Sequence, residues 1–248
     1  MSLQGRAAII TGAGSGMGRS IALRLAQDGA AVLCADLNLA GAEETIKEVE
    51  KLGGKALAYR VDVSKKPEVE GMVNAAVKNF GSLDILVNAA GIWEGTPAEE
   101  IPEEEWDRIL GVNLKGLFFC CQAASPVMKE RRAGRIINIA SIAGRTGGSY
   151  CGAHYTASKG GVIALTKRLA KEWAQYRITV NTVNPGPTDT AMTADWPAEI
   201  KERIKANIPL GRFVQAEDIA EAVAFLASDA ARFITGEAIE VNGGILMD

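Results

Sequence analysis

Short apolar runs alternate with stretches of helical periodicity from one end of the chain to the other. Arg6–Gly12 (RAAIITG), Ala31–Asp36 (AVLCAD), Ala56–Val63 (ALAYRVDV), Asp84–Gly91 (DILVNAAG), Arg135–Ser141 (RIINIAS), Ile178–Gly186 (ITVNTVNPG) and Glu237–Gly244 (EAIEVNGG) read as strands. Most are continuously apolar rather than alternating, as in a parallel sheet covered on both faces. Between them, Met17, Ile21 and Leu25 keep one helical face. Ala42, Ile46, Val49 and Leu52 keep a second, and Val69, Met72, Val73, Ala76 and Phe80 a third. Gly29, Gly53 and Gly81 follow the last turns, where positive φ is often required. Longer helices are predicted over Val112–Ala133 and His154–Tyr176. The order implies an α/β fold: a doubly wound parallel sheet of about seven strands, helices on both sides, right-handed crossovers. No linker or repeat interrupts it, so a single domain over 1–248 is expected.

Composition narrows the function classes. With 48% hydrophobic residues and a mean hydropathy of +0.06, the 248-residue chain has material for one large core. A net charge of −3 speaks against nucleic acid or an anionic membrane as partner. No apolar run approaches the ~18 residues of a membrane span, and the N-terminus does not read as a secretory signal. Cys34, Cys120, Cys121 and Cys151 lack metal-type spacing beside a single histidine. A reducing, cytoplasmic setting without a metal site is expected.

The chemistry starts in the loop after the first strand. Gly12, Gly16 and Gly18 give T-G-x-x-x-G-x-G, with strand before and helix after. Glycines there let the backbone approach a pyrophosphate, whose charge the helix N-terminus favours. Asp36 ends the second strand, where a carboxylate would accept hydrogen bonds from an adenosine ribose. It would also repel a 2′-phosphate, and the neighbouring loop and strand positions, Ser15 and Leu37, offer no cation. NAD is expected over NADP, in a Rossmann-like fold.

A second constellation is HYTASKGG, His154–Gly161, which places Tyr155 and Lys159 one helical turn apart. Taken with the loop, these motifs resemble the short-chain dehydrogenase/reductase family, in its roughly 250-residue oxidoreductase branch. The resemblance runs nearly end to end. TGAGSGMG is similar to the family's nucleotide loop, bringing in Met17. Asp62-Val63 resembles the adenine-contacting pair, and Asn88, Ala89 and Gly91 of NAAG the stretch after the fourth strand. Asn113 and Ser141 match the helix asparagine and the serine ending the fifth strand, and Tyr155 and Lys159 the Tyr-x-x-x-Lys pair. Pro185, Gly186, Thr188 and Thr190 of NPGPTDT match the segment near the nicotinamide. Two features depart from the pattern: Thr188 replaces a usual aliphatic residue, and the Ser141–Tyr155 spacing is one residue longer than is common in close relatives.

The resemblance implies an NAD-dependent enzyme moving hydride between a secondary alcohol and its ketone. Tyr155 would be the general base or acid, its pKa brought down by Lys159 and the positive nicotinamide. Ser141 would hold the substrate oxygen, Lys159 the nicotinamide ribose, and Asn113 a water linking Lys159 to solvent. A substrate lid is expected over about 188–212, with Trp93, Ser141, Tyr150, Cys151, Tyr155 and Trp196 as pocket residues. Glu94, Ser149 and Arg145 add polar groups, which favours a polyol, sugar or hydroxy acid. His154 reads as a packing or loop residue.

A 3-oxoacyl-(acyl-carrier-protein) reductase-like activity is the alternative, for which Lys129–Arg135 (KERRAGR) would be the docking patch. A non-catalytic dinucleotide sensor is the alternative from another class. Apolar or small residues on several faces of the two long helices imply subunit contact, and the family implies a homotetramer, with a dimer second.

Overall fold

The computed structural model describes residues 2–148, 150–189, 193 and 196–247. Seven strands form one sheet, all neighbours parallel, in the order β3-β2-β1-β4-β5-β6-β7. They are β1 (Ala7–Thr11), β2 (Ala31–Asp36), β3 (Ala56–Arg60), β4 (Ile85–Asn88), β5 (Gly134–Ile139), β6 (Ile178–Pro185) and β7 (Ala238–Val241). Each expected strand is present, most of them trimmed at the ends. In Ala56–Val63 the trimming falls at one end, where Val61–Val63 leave the sheet and turn over the nucleotide side.

Successive strand residues face opposite sides, so each strand feeds two cores. Ala8 and Ile10 pack on one side with Ile21, Leu25, Val49 and Val223, while Ile9 packs on the other with Val69, Met72, Cys121 and Val162. The first side is covered by α1 (Gly16–Gln27), α2 (Leu39–Lys51) and α9 (Ala216–Ala227). The second carries α3 (Lys66–Phe80), α5 (Leu117–Arg131) and α7 (Ala153–Trp173). Gly81 ends α3 at φ 80°, as the sequence requires. Because strand order reverses between β1 and β4, their crossovers leave on opposite sides and open a crevice at the carboxyl ends. The two cavities described first below lie at that end of the sheet.

The expected helix over Val112–Ala133 is not uniform. Gly111–Gly116 is a π-helical turn, entered from α4 (Glu103–Leu110) and leaving as α5. The sequence pattern did not separate α4, although Pro102, three acidic first-turn residues and buried Ile109 mark one amphipathic turn-pair. A short α6 (Ala143–Thr146) follows Ser141, and α8 (Ala198–Ala206) lies in the expected lid. Among the described residues no helix is long and apolar enough to cross a membrane, and no group of His, Cys, Asp and Glu could hold a metal ion.

Candidate active site

The nucleotide side is made chiefly from backbone. β1 delivers the chain into Gly12, whose φ is +70°, and an added Cβ there would lie 2.8 Å from Ala90 Cα. At Gly18 it would collide with the Gly12 carbonyl oxygen. Both positions are closed to any side chain by neighbouring backbone. Ser15 precedes α1 without a side-chain cap, leaving first-turn amides free for an anion. At the end of β2, Asp36 Oδ2 accepts the Gly14 N–H and Oδ1 the Asn38 N–H, both at 2.8 Å. Those two amides fix the carboxylate, and each oxygen keeps a lone pair for a ribose hydroxyl.

Two cations stand nearby, and both are engaged. Arg19 pairs with Glu44 at 3.1 Å and Glu48 at 3.6 Å, and Arg60 with Glu68 at 3.9 Å. The resulting cavity, about 360 Å³, is bounded by Gly12, Ser15, Gly16, Met17, Gly18, Asp36, Leu37, Asp62, Val63, Ala89 and Gly91, as the sequence anticipated. Ala90, Ile92 and Val112 also line it and had not been singled out. The closed glycine cradle, free amides and oriented carboxylate fit a dinucleotide. Asn88 is the exception. Its Nδ2 donates to Asn138 Oδ1 at 2.8 Å inside the core, so it supports strand ends rather than reaching the cavity.

Next to the cradle, the chemical residues converge. Ser141 leaves β5, accepts the Ala143 N–H at 3.1 Å and hydrogen-bonds the Tyr155 hydroxyl. Lys159, one turn along α7, is buried, donates to Ile139 O at 2.9 Å and lies 5.7 Å from the Tyr155 ring centre. Burial pushes the phenol up to about 12 against the opposing effect of the Ser141 bond. Burial also brings the Lys159 ammonium down to about 8. The expected lowering of Tyr155 by the lysine is therefore not what the chain alone produces. Desolvation wins and favours the neutral form of both groups.

Asn113 sits in the π-helical turn, a frequent feature of functional sites. Its Oδ1 accepts the Ile92 N–H at 2.8 Å, and its Nδ2 donates to Ile92 O at 2.9 Å and Ser158 Oγ at 3.2 Å. It thereby clamps the loop after β4 to α7. Gly91 lies between its oxygen and Lys159 Nζ, since an added Cβ would be 3.4 Å from one and 3.5 Å from the other.

A second cavity, about 390 Å³, is lined by all six residues expected around a substrate: Trp93, Ser141, Tyr150, Cys151, Tyr155 and Trp196. Met17, Pro185, Gly186 and Thr188 line it too, so Met17 joins the two cavities. The Thr188 hydroxyl is spent on Gly186 O at 2.9 Å. Trp196 organises the wall, with ring centres 6.1 Å from Trp93, 5.9 Å from Tyr150 and 6.5 Å from Phe213. Behind it a further cavity, about 840 Å³, shares Trp93, Tyr150, Cys151 and Trp196.

Among the described residues none that lines the 390 Å³ pocket is charged. Glu94 pairs with Arg108 at 2.7 Å and Arg145 with Glu240 at 3.0 Å, outside it. Glu94 and Arg145 thus do not supply the polar lining expected of them; Thr146, Thr193 and Asn207 supply uncharged polar groups instead, and Ile142, Ile204 and Ile245 are apolar walls that the sequence did not disclose. Thr190 and Ser149 lie outside the described residues.

Comparison with known proteins agrees with this geometry. A family model described as enoyl-(acyl carrier protein) reductase, of the short-chain alcohol dehydrogenase type, matches residues 12–246. A 3-oxoacyl-(acyl-carrier-protein) reductase FabG of Staphylococcus aureus (strain Mu50) is 46% identical over 246 residues, covering 98% of each chain. The FabG of Thermotoga maritima is 39% identical over 247 residues, covering 100% of each. The crystal structure of a putative short-chain alcohol dehydrogenase from Sinorhizobium meliloti 1021 superposes with a TM-score of 0.95 at 40% identity, over 98% of this chain and 97% of that one.

Proposed function

Because the chain belongs to the short-chain dehydrogenase/reductase family of oxidoreductases, which act at a CH–OH or keto carbon, we propose that it interconverts 3-oxoacyl and 3-hydroxyacyl thioesters with NAD(H). The observation carrying the acyl reading is the uncharged pocket around Ser141 and Tyr155, walled mainly by Trp93, Trp196, Ile142, Ile204 and Ile245, with Thr146, Thr193 and Asn207 among its few further polar side chains. A polyol or sugar needs hydrogen-bonding partners for each buried hydroxyl, or it binds at a loss. An acyl chain needs only apolar contact. The FabG relatives act, by name, on a 3-oxoacyl group held by a carrier protein. They favour this reading over the polyol, sugar or hydroxy acid expected from the sequence.

NADH is preferred over NADPH in this reading because Asp36 is aimed by two amides and both nearby arginines are already paired. The nicotinamide, when bound, supplies or accepts the hydride. Ser141 holds the keto oxygen beside the phenol. Tyr155, a phenol that is protonated at neutral pH, donates its proton as charge develops on that oxygen, and takes it back in the oxidative direction. Lys159 lies one helical turn along α7 and would hold the nicotinamide ribose. Asn113 keeps the loop of Ile92 and the α7 backbone in register.

The segment 188–212 acts as the lid in this reading, its described part supplying Trp196 and Ile204 to the pocket. The cations of Lys129–Arg135 support a duller role than docking: Arg131 pairs with Asp84 at 3.4 Å, Arg135 with Asp229 at 3.3 Å, and Lys129 lies over Trp173 and Tyr176. A homotetramer in the cytoplasm completes the proposal, supported by the apolar groove of Leu110, Leu114, Phe118 and Leu165 and by four free cysteines.

The test is a panel at equal concentration. Acetoacetyl-coenzyme A and a 3-oxoacyl carrier-protein thioester are offered with NADH, and polyols, sugars and hydroxy acids with NAD⁺. Turnover of either thioester at least tenfold above every other class supports the reading. Turnover of a polyol or sugar above both thioesters refutes it.

A further inference from the structure

His154 is the only histidine in the chain, is fully buried and directly precedes Tyr155, yet the reaction as proposed does not use it. Its Nδ1 accepts the Tyr155 N–H at 2.8 Å. A ring nitrogen that accepts from an amide carries no proton, so the neutral imidazole holds its proton on Nε2. That N–H donates to Glu105 Oε1 on α4, 2.7 Å away.

The location explains why such a bond matters. Tyr155 lies in the first turn of α7, where backbone amides lack intrahelical partners. The residue before the helix, Gly152, offers no side-chain cap. It also has no room for one, since an added Cβ would run into the His154 ring. His154 therefore supplies from inside the turn what a cap supplies from outside it. Glu105 anchors the far end and also bonds Thr96. That bond first, and the His154 bond second, hold its carboxyl below the usual range. Thr96 in turn lines the cavity of about 840 Å³ beside Trp93. The frame closes through the Gly152 N–H, which donates to Glu94 O at 2.9 Å.

We propose that Glu105 and His154 are positioning residues: through two consecutive hydrogen bonds they fix the first turn of α7 and hold the Tyr155 hydroxyl over the pocket. The inference rests on Tyr155 being the acid–base group. The nucleotide cavity touches neither residue, so the pair acts on the chemical step rather than on dinucleotide binding.

The experiment measures kcat, KM, NADH affinity and Tm for His154→Leu, His154→Asn, Glu105→Leu, Glu105→Gln and Tyr155→Phe in the full chain. His154→Leu is expected to lower kcat about 100-fold, the scale of a misplaced reacting group, with NADH affinity within about twofold of native. His154→Asn restores an acceptor near the Tyr155 N–H, and its kcat should exceed that of His154→Leu by about tenfold. Glu105→Gln can still accept from Nε2 and should exceed Glu105→Leu by a similar factor. The His154→Leu, Glu105→Leu pair together should cost no more than His154→Leu alone, because the two act in series.

A folded His154→Leu with native kcat, beside an inactive Tyr155→Phe, overturns the positioning role and leaves the acid–base assignment standing. Native kcat in Tyr155→Phe overturns the assignment beneath it. Losses of kcat that merely track Tm, with no recovery in His154→Asn, leave the histidine a packing role and overturn the proposal.

Discussion

The nucleotide cradle and the substrate pocket meet at Met17, but they are built in different ways. The cradle comes from the ends of β1, β2 and β4 and the start of α1, where backbone groups and one carboxylate do the recognising. Its tolerance is set by glycines that neighbouring backbone closes off. The pocket is walled by side chains far apart in the chain, among them Trp93, Tyr150, Trp196, Ile204 and Ile245. Of its lining, the Ser141–Tyr155 pair, proposed to carry the chemistry, is held by the end of a strand and by a long helix. In the proposed reading, chemistry and cofactor are tied to the sheet and its long helices, whereas substrate choice is left to loops and the short α8. That division lets a fold change its substrate without rebuilding its reaction.

The sharpest way to break the comparison is to remove chemistry while sparing the cradle. Tyr155→Phe should lower the thioester reduction rate by about 10²–10⁴-fold, with NADH binding by fluorescence titration unchanged. Lost binding would show that the two regions are not separable.

The next probe uses the buried lysine. Its folded pKa, about 8, lies below the ordinary 10.5. The folded state therefore sheds this proton before the unfolded state does. Between pH 8 and 10.5 the native chain should gain stability from this group, a gain fully present above 10.5 and lost as pH falls through 8. Against Lys159→Met, urea unfolding should show a difference growing by about 2–3 kcal/mol across that window. A flat difference would show that the ammonium is not desolvated.

Gly18→Ala places a methyl group against the Gly12 carbonyl and should weaken NADH binding about 30-fold, with a Tm drop. Trp196→Ala acts on the other region. It should raise KM for a medium-chain 3-oxoacyl thioester about tenfold, leaving KM for NADH and for a two-carbon-shorter acyl chain far less affected. Equal effects of Trp196→Ala on both substrates would make it a structural residue of the lid.

How much of this was legible in the sequence follows from the same contrast. The strands, the glycine loop, Asp36 and the Tyr155–Lys159 pair are local patterns, whose meaning depends on neighbours a few residues away. They stand where the sequence puts them. Glu94 and Arg145 are near the pocket in sequence, but their ion pairs with Arg108 and Glu240 turn them elsewhere, and no local pattern encodes a partner 14 or 95 residues away. Ile204 and Ile245 reach the pocket only through the tertiary course of the chain. The upward push on the Tyr155 phenol in the chain without cofactor was not legible, because the spacing gives the distance to a cation but not the desolvation around the phenol. Glu105 was missed with the whole of α4, whose Pro102 and acidic first turn were a usable signal.

The central claim is that an Asp36-defined cradle delivers NADH to a 3-oxoacyl thioester. Initial rates of acetoacetyl-coenzyme A reduction, taken with NADH and with NADPH on the native chain and on Asp36→Ser, test it most directly. The native chain should favour NADH in kcat/KM by about 10²-fold, and Asp36→Ser should reduce that preference by about 10–100-fold, the scale of a removed like-charge contact. A native preference for NADPH, or a ratio that Asp36→Ser does not move, would contradict it.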